Sequence, residues 1–247
     1  AYARAEGIGE EVAEALAAGV RPKGPEDSVP VSAVGALLSA ADRADKLVGF
    51  TAAGVRASGS ADPYGLRRDA LGLARLLNAH GWQETPRRLF EAAAAAYGGS
   101  DVDAGEEVVA EADRFLWERI HSLLAEEGLS VHLVRAAAAD GPPVITAARR
   151  AHLLDALARE EDFPALLALY KRAANLAEKA DEEAQVEPTL FEAPEEQPLW
   201  EALPGARRGI EELRGAAREA LVPWDLGRGP RGALPELVEA TRHVLLL

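Results

Sequence analysis

Residues 43–88 carry eight basic side chains, Arg43, Lys46, Arg56, Arg67, Arg68, Arg75, Arg87 and Arg88, against four acidic ones. Guanidinium groups bind phosphate bidentately. Arg56, Arg67, Arg68 and Arg75, with Arg87 and Arg88, therefore make a candidate patch for a phosphate backbone. Pairing with acids of another domain, or of a partner subunit, is the alternative. Lys171, Arg172 and Asn175 form a second constellation. Positions 171 and 175 are one helical turn apart and share a face, with 172 beside them. Arginine and asparagine can read base edges, although a plain charged helix face has the same pattern. Arg114 and Arg119, near Phe115 and Trp117, are weaker candidates of the same kind. Asp42 and Asp45 sit three apart and are weak candidates for a metal. Without further ligands nearby, pairing with Arg43, Lys46 or nearby arginines, which would fix helix packing, explains them better.

Other chemistries find no support in the sequence. Cysteine is absent, which removes thiolate metal ligands, disulfides and a cysteine nucleophile. No Gly-rich phosphate loop or nucleophile elbow is present. His80, His121, His132, His152 and His243 make no His-Glu-x-x-His pair and read as surface or cap histidines. No self-sufficient active site is expected.

The elements that must position these side chains read as helices. Alanine dominates and aromatics make up 5% of the 247 residues, a composition that favours helix over strand. Asp62-Pro63 reads as an N-cap plus first helical position, for a helix ending at His80-Gly81. Thr85-Pro86 opens another in the same way. A third starts near Gly105, turns Val108, Ala112, Phe115, Ile120 and Leu123 inward, and stops at Gly128. Ser130 caps a short successor. Further helices are expected over 9–18, 31–48, 144–159, 164–180, 207–221 and 234–247, the 164–180 helix following an apolar ridge of Phe163, Leu167, Tyr170 and Ala174. The fold class is all-α.

Charge is uneven. The net charge is −14, which excludes a generic polycation but not a local basic face. The stretch from Glu178 to Glu201 holds nine acids, one lysine and three prolines and reads as a solvated connector. Gly98-Gly99-Ser100-Asp101 reads as a boundary between helical units. No apolar run approaches the roughly 20 residues of a membrane span, and no signal peptide opens the chain. A cytoplasmic protein is the default expectation. Methionine is absent even from position 1, which reads as an internal fragment of a longer protein.

Residues 41–77, ADRADKLVGFTAAGVRASGSADPYGLRRDALGLARLL, carry the most specific pattern. Ala41-Asp42, Asp45, Leu47-Val48-Gly49, a Ser58-Gly59-Ser60 turn, Asp62-Pro63-Tyr64, Leu66-Arg67-Arg68 and Ala70-Leu71-Gly72 fall in one order and spacing. This segment resembles the β subunit of the bacterial heterotetrameric glycyl-tRNA synthetase. Residues 114–128 are similar to the start of that family's anticodon-binding helices, and residues 171–180 to a later Lys-Arg-x-x-Asn segment, followed by Leu190-Phe191. Thr51 and Leu176-Ala177 depart from the family pattern.

The resemblance implies a C-terminal fragment of that subunit. It implies the last helices of an HD-like domain over 1–50, a connecting helical segment over 51–100, and an anticodon-binding-like bundle, incomplete at its C-terminus, over 101–247. It implies tRNA(Gly) and the synthetase α subunit as partners in a heterotetramer, with neither DNA nor membrane. The chain would bind tRNA through Arg56, Arg67, Arg68, Arg75, Arg114, Arg119, Lys171, Arg172 and Asn175, with the last three placed to read anticodon bases. It would hold no cofactor, because ATP and Mg2+ would act at the α subunit. A degenerate HD-type phosphohydrolase using Asp42, and a structural module that docks other subunits, are the alternatives.

Overall fold

The computed structural model describes residues 2–24, 26–56, 62–178 and 186–219, except for the side chains of 210 and 212–219. Every regular element among the described residues is helical, as the alanine-rich composition predicts. In order these are α1 (Tyr2–Ala5), α2 (Glu10–Ala18), α3 (Ala33–Ala52), α4 (Leu66–Ala79), α5 (Pro86–Ala95), α6 (Glu106–Glu126), α7 (Val131–Ala137), α8 (Val144–Leu157), α9 (Phe163–Ala177) and α10 (Glu196–Glu219), with a 3-10 turn at Pro188–Leu190. None of them is long and apolar enough to cross a membrane.

The chain divides into two compact units that meet between His152 and Leu153. The expected divisions after residues 50 and 100 both fall inside the first unit. The Gly98–Asp101 turn merely links α5 to α6, which pack on each other.

In the first unit α3 is the hub, packing on α2, α4, α5 and α6. Its buried face is Ala36, Ala40, Ala44, Leu47 and Val48. Small alanines let neighbouring helices approach closely, and Leu47 and Val48 are buried with Leu73, Leu76 and Leu77 of α4 and Phe90 of α5, helices that pack on α3. These larger side chains are also fully buried. Thr85 caps α5 through its hydroxyl and Pro86 occupies the first turn, as the sequence indicates.

Two local expectations change. Asp62 does not precede the first helical residue of α4. The helix starts at Leu66, after Gly65 at φ +71°, a conformation that glycine adopts without penalty. Asp62 still caps it from four residues back, accepting from the Leu66 N–H at 2.7 Å and the Arg67 N–H at 3.0 Å. On α6 the buried residues are Val109, Ala112, Leu116, Trp117, Ile120 and Leu124: Ala112 and Ile120 are buried as expected, whereas Val109, Leu116 and Leu124 take the places expected for Val108, Phe115 and Leu123. Apolar residues come doubled there (108/109, 115/116, 123/124), so period alone admits either stripe, and packing selects one. Trp117 is thereby a core residue.

The second unit also departs from expectation. The α9 helix buries no residue, and Leu167 and Tyr170 of its apolar ridge are exposed. Part of the acidic connector is ordered, because α10 already begins at Glu196 and runs through Pro204. The helix expected over 234–247 and His243 lie outside the described residues.

Of the described histidines only His132 is exposed. His80, the C-cap of α4, contacts the Pro30 carbonyl through Nε2 at 2.8 Å and stacks on Trp82. His152 Nε2 lies 3.0 Å from Glu127. His121 is half-buried beside Trp117, and no hydrogen bond reaches its buried Nε2. A histidine on an amphipathic helix can thus be a packing residue, which the surface-or-cap expectation did not anticipate for His121.

Gly72 of α4 lies tight against the buried Arg43 guanidinium of α3, where a Cβ on Gly72 would stand 2.5 Å from Arg43 Nε. Gly-to-Ala changes in a helix ordinarily stabilise by about 0.5–1 kcal/mol. Gly72→Ala should instead destabilise by about 1–3 kcal/mol through overpacking, read as a lower urea midpoint. His121 gives a pH signature. Burial, aided by the Arg135 charge and opposed by Glu118, holds its imidazole below the ordinary pKa of 6.5. Between the two values the unfolded chain binds a proton that the folded chain does not. Stability should therefore be complete above about pH 6.5 and decline as the pH falls below it. His121→Gln should flatten that part of the Tm-versus-pH curve.

Candidate functional site

Most of the cations that could meet a phosphate are already engaged. Arg56 pairs with Glu111 and donates to the Thr51 carbonyl at 3.0 Å. Arg87 pairs with Glu91 and Glu106, and Arg88 with Glu84. Arg114 lies 3.7 Å from Glu111. Arg119 pairs with Glu118 and lies over the Phe115 ring at 5.0 Å. Arg75 donates to the carbonyls of Gly24 and Asp27, at 2.7 Å each, and so ties down the segment ahead of α3. For Arg56 and Arg87 the acid-pairing alternative is the arrangement observed, while Arg114 and Arg119 pair with acids of their own helix.

The aspartates also have packing partners. Asp42 pairs with Lys46 one turn on, at 2.5 Å. Asp45 accepts from the Tyr97 hydroxyl at 2.8 Å, which lies close against Gly49. Among the described residues no group of three or more His, Cys, Asp or Glu side chains converges.

The side chains of five candidates stand free of hydrogen bonds and ion pairs among the described residues. Arg67 and Arg68 are on the first turn of α4. Lys171, Arg172 and Asn175 are exposed on one side of α9, as their spacing predicts. The two groups belong to different units.

Arg67 and Arg68 open into a cleft of about 650 Å3 in the first unit. Its wall is α4, with Arg67, Arg68, Leu71 and Arg75, and its far side is the end of α6, with Leu123, Glu126 and Glu127. The loop Pro22-Lys23-Gly24 closes one edge. Lys23, Glu126 and Glu127 carry no pattern that sequence reading could have singled out. They come to Arg67 only because α4 packs on α6 and because Arg75 clamps the loop. Leu123, expected in the core, lines this cleft instead.

The sequence is similar to known proteins over most of its length. A family profile described as glycyl-tRNA synthetase beta subunit matches residues 1–139. A glycine--tRNA ligase beta subunit of Nitratidesulfovibrio vulgaris (strain DP4) is 41% identical over 187 residues, covering 75% of this chain and 27% of that protein. The protein of the same name from Anaeromyxobacter dehalogenans (strain 2CP-C) is 38% identical over 225 residues, covering 89% and 31%. That from Desulforudis audaxviator is 38% identical over 217 residues, covering 85% and 30%. The chain thus spans between about a quarter and a third of the length of these curated relatives.

Proposed function

The chain belongs to the glycyl-tRNA synthetase beta subunit family, and from that membership we propose that it holds tRNA(Gly) for glycylation, recognising the anticodon region. In this reading residues 1–50 are the last helices of an HD-like domain, 51–100 a connecting helical segment, and the anticodon-binding-like bundle begins at 101, within the first unit. Bond-making belongs to an alpha subunit, which uses ATP and Mg2+, in a cytoplasmic heterotetramer. This chain supplies affinity and specificity.

One observation carries the reading. Lys171, Arg172 and Asn175 present two cations and an amide together on α9, exposed and without partners among the described residues. Most other candidate arginines are neutralised by glutamates. Such a group suits an RNA whose anticodon bases are unstacked: the cations meet phosphates and the amide meets a base edge. Arg67 and Arg68 offer a second place for a phosphate.

A docking role for the helical module is the second reading, favoured by Val12, Leu16, Val34 and Leu37, which are exposed on α2 and α3. Exposed apolar side chains gathered on one face commonly mark an interface.

Filter-binding titrations with tRNA(Gly) across salt test the first reading. Lys171→Glu with Arg172→Glu should weaken binding and flatten the log–log salt dependence by about one unit for each phosphate that is no longer neutralised. A tRNA with a swapped anticodon should bind the parent chain more weakly and discriminate less with Asn175→Ala. Unchanged affinity and slope would refute the assignment of α9.

A further inference from the structure

We propose that the cleft between α4, α6 and the Pro22–Gly24 loop is a nucleotide pocket, in which Arg67, Arg68 and Lys23 hold one phosphate and Glu126 accepts hydrogen bonds from the sugar or base. Its volume of about 650 Å3 lies within the usual range of small-molecule sites, about 300–1,000 Å3.

The charge layout defines the ligand. The guanidinium groups of Arg67 and Arg68 have no hydrogen bond or ion pair among the described residues, and neither does the ammonium of Lys23. Arg75 donates to two carbonyls, which orient its guanidinium without neutralising it. Four cations therefore line the cleft. Asp62, at the same end, is committed to capping: it accepts from the Leu66 and Arg67 N–H groups and complements the positive helix terminus. These two N–H groups are thereby taken, so a phosphate here must be bound by side chains. Paired guanidinium groups do this well.

The α6 side has the opposite character. Glu127 lies against His152, and the neighbouring Glu126 is exposed, with no partner among the described residues. A carboxylate accepts only. It suits hydroxyl or amino donors and repels further phosphates. The ligand is therefore bipolar, with one phosphate at the arginines and a neutral, donor-rich end at Glu126. Leu71 and Leu123 give the part between them an apolar surface. A ribonucleoside monophosphate meets all three requirements, whereas a triphosphate would bring negative charge toward Glu126.

Such a nucleotide can arrive free or as part of an RNA strand. Only the second source rests on the tRNA-holding reading above.

Calorimetric titration of the full chain with AMP, adenosine, inorganic phosphate and a trinucleotide RNA tests the pocket. AMP or the trinucleotide should bind at millimolar concentration or better, and adenosine far more weakly. Arg67→Gln with Arg68→Gln should weaken binding by about tenfold or more, as expected when charge-assisted hydrogen bonds to phosphate are removed. Glu126→Gln should weaken the nucleotide severalfold but leave inorganic phosphate unchanged. Binding of AMP alone identifies a free nucleotide, and binding of the trinucleotide alone, with the same sensitivity to both variants, identifies an RNA-borne one. If neither binds, or if binding is indifferent to the arginine pair, the proposal falls. The Lys171→Glu/Arg172→Glu chain should keep its AMP affinity, so failure of the α9 reading and failure of the pocket are told apart.

Discussion

The buried guanidinium of Arg43 is the constraint on which the first unit is built. It is 3% exposed, and a cation taken out of water is costly unless its donors are satisfied. Arg43 donates to the Ser39 carbonyl at 3.1 Å, to the Ser39 hydroxyl, and to the Pro22 carbonyl at 2.8 Å. Its Nε faces Asp69 at 3.9 Å, too far for a hydrogen bond, and has none. Burial outweighs the nearby carboxylates and holds the proton affinity of Arg43 below its ordinary value, and burial likewise pushes Asp69 up. Removing either partner would leave the other poorly compensated, so α3 and α4 are locked together at this point.

That lock extends to the cleft. Ser39 donates its hydroxyl to the Arg21 carbonyl at 2.5 Å, so α3 grips the incoming chain at both Arg21 and Pro22. Arg75 grips it again at Gly24 and Asp27 from α4. Lys23 lies between these anchors, and the Lys23 N–H donates to Asp27 at 2.9 Å. Its place at the rim of the cleft is therefore fixed by Arg43 and Arg75, both donating to backbone carbonyls of this segment. Gly72 joins the two layers, lining the cleft while making room for Arg43 beneath it.

These contacts explain what was legible in the sequence. Helix identity was legible, because caps such as Thr85-Pro86 and runs of alanine and leucine act locally. The family was legible from residues 41–77, yet most of that pattern serves packing. Asp45 and Gly49 receive Tyr97, Tyr64 stacks on Phe50 at 4.5 Å, Asp62 caps, Gly65 takes a left-handed turn, and Asp69 and Gly72 accommodate Arg43. Spacing could not separate such roles from ligand binding, because a paired arginine and a free one look alike along the chain. Arg56 and Arg67 differ only in having or lacking a glutamate 55 residues away, a tertiary fact. On α6 Val109, Leu116 and Leu124 are buried in place of Val108, Phe115 and Leu123 for a related reason: doubled apolar residues leave the choice between them to the neighbouring helices.

Net charge misleads in the same way. At −14 the chain should repel any polyanion at long range, but the Debye length at physiological salt is about 8 Å. Within that distance a phosphate senses its immediate neighbours, and many surface arginines there are cancelled by glutamates one turn away or across a helix boundary. On the proposed reading the selective element is therefore absence of pairing: Arg67 and Arg68 in one unit, Lys171 and Arg172 in the other. An acidic background would sharpen this selection, because it suppresses nonspecific adhesion along the rest of the surface and would leave binding only where two or more uncompensated cations adjoin. A basic chain would bind nucleic acid more tightly but at more places.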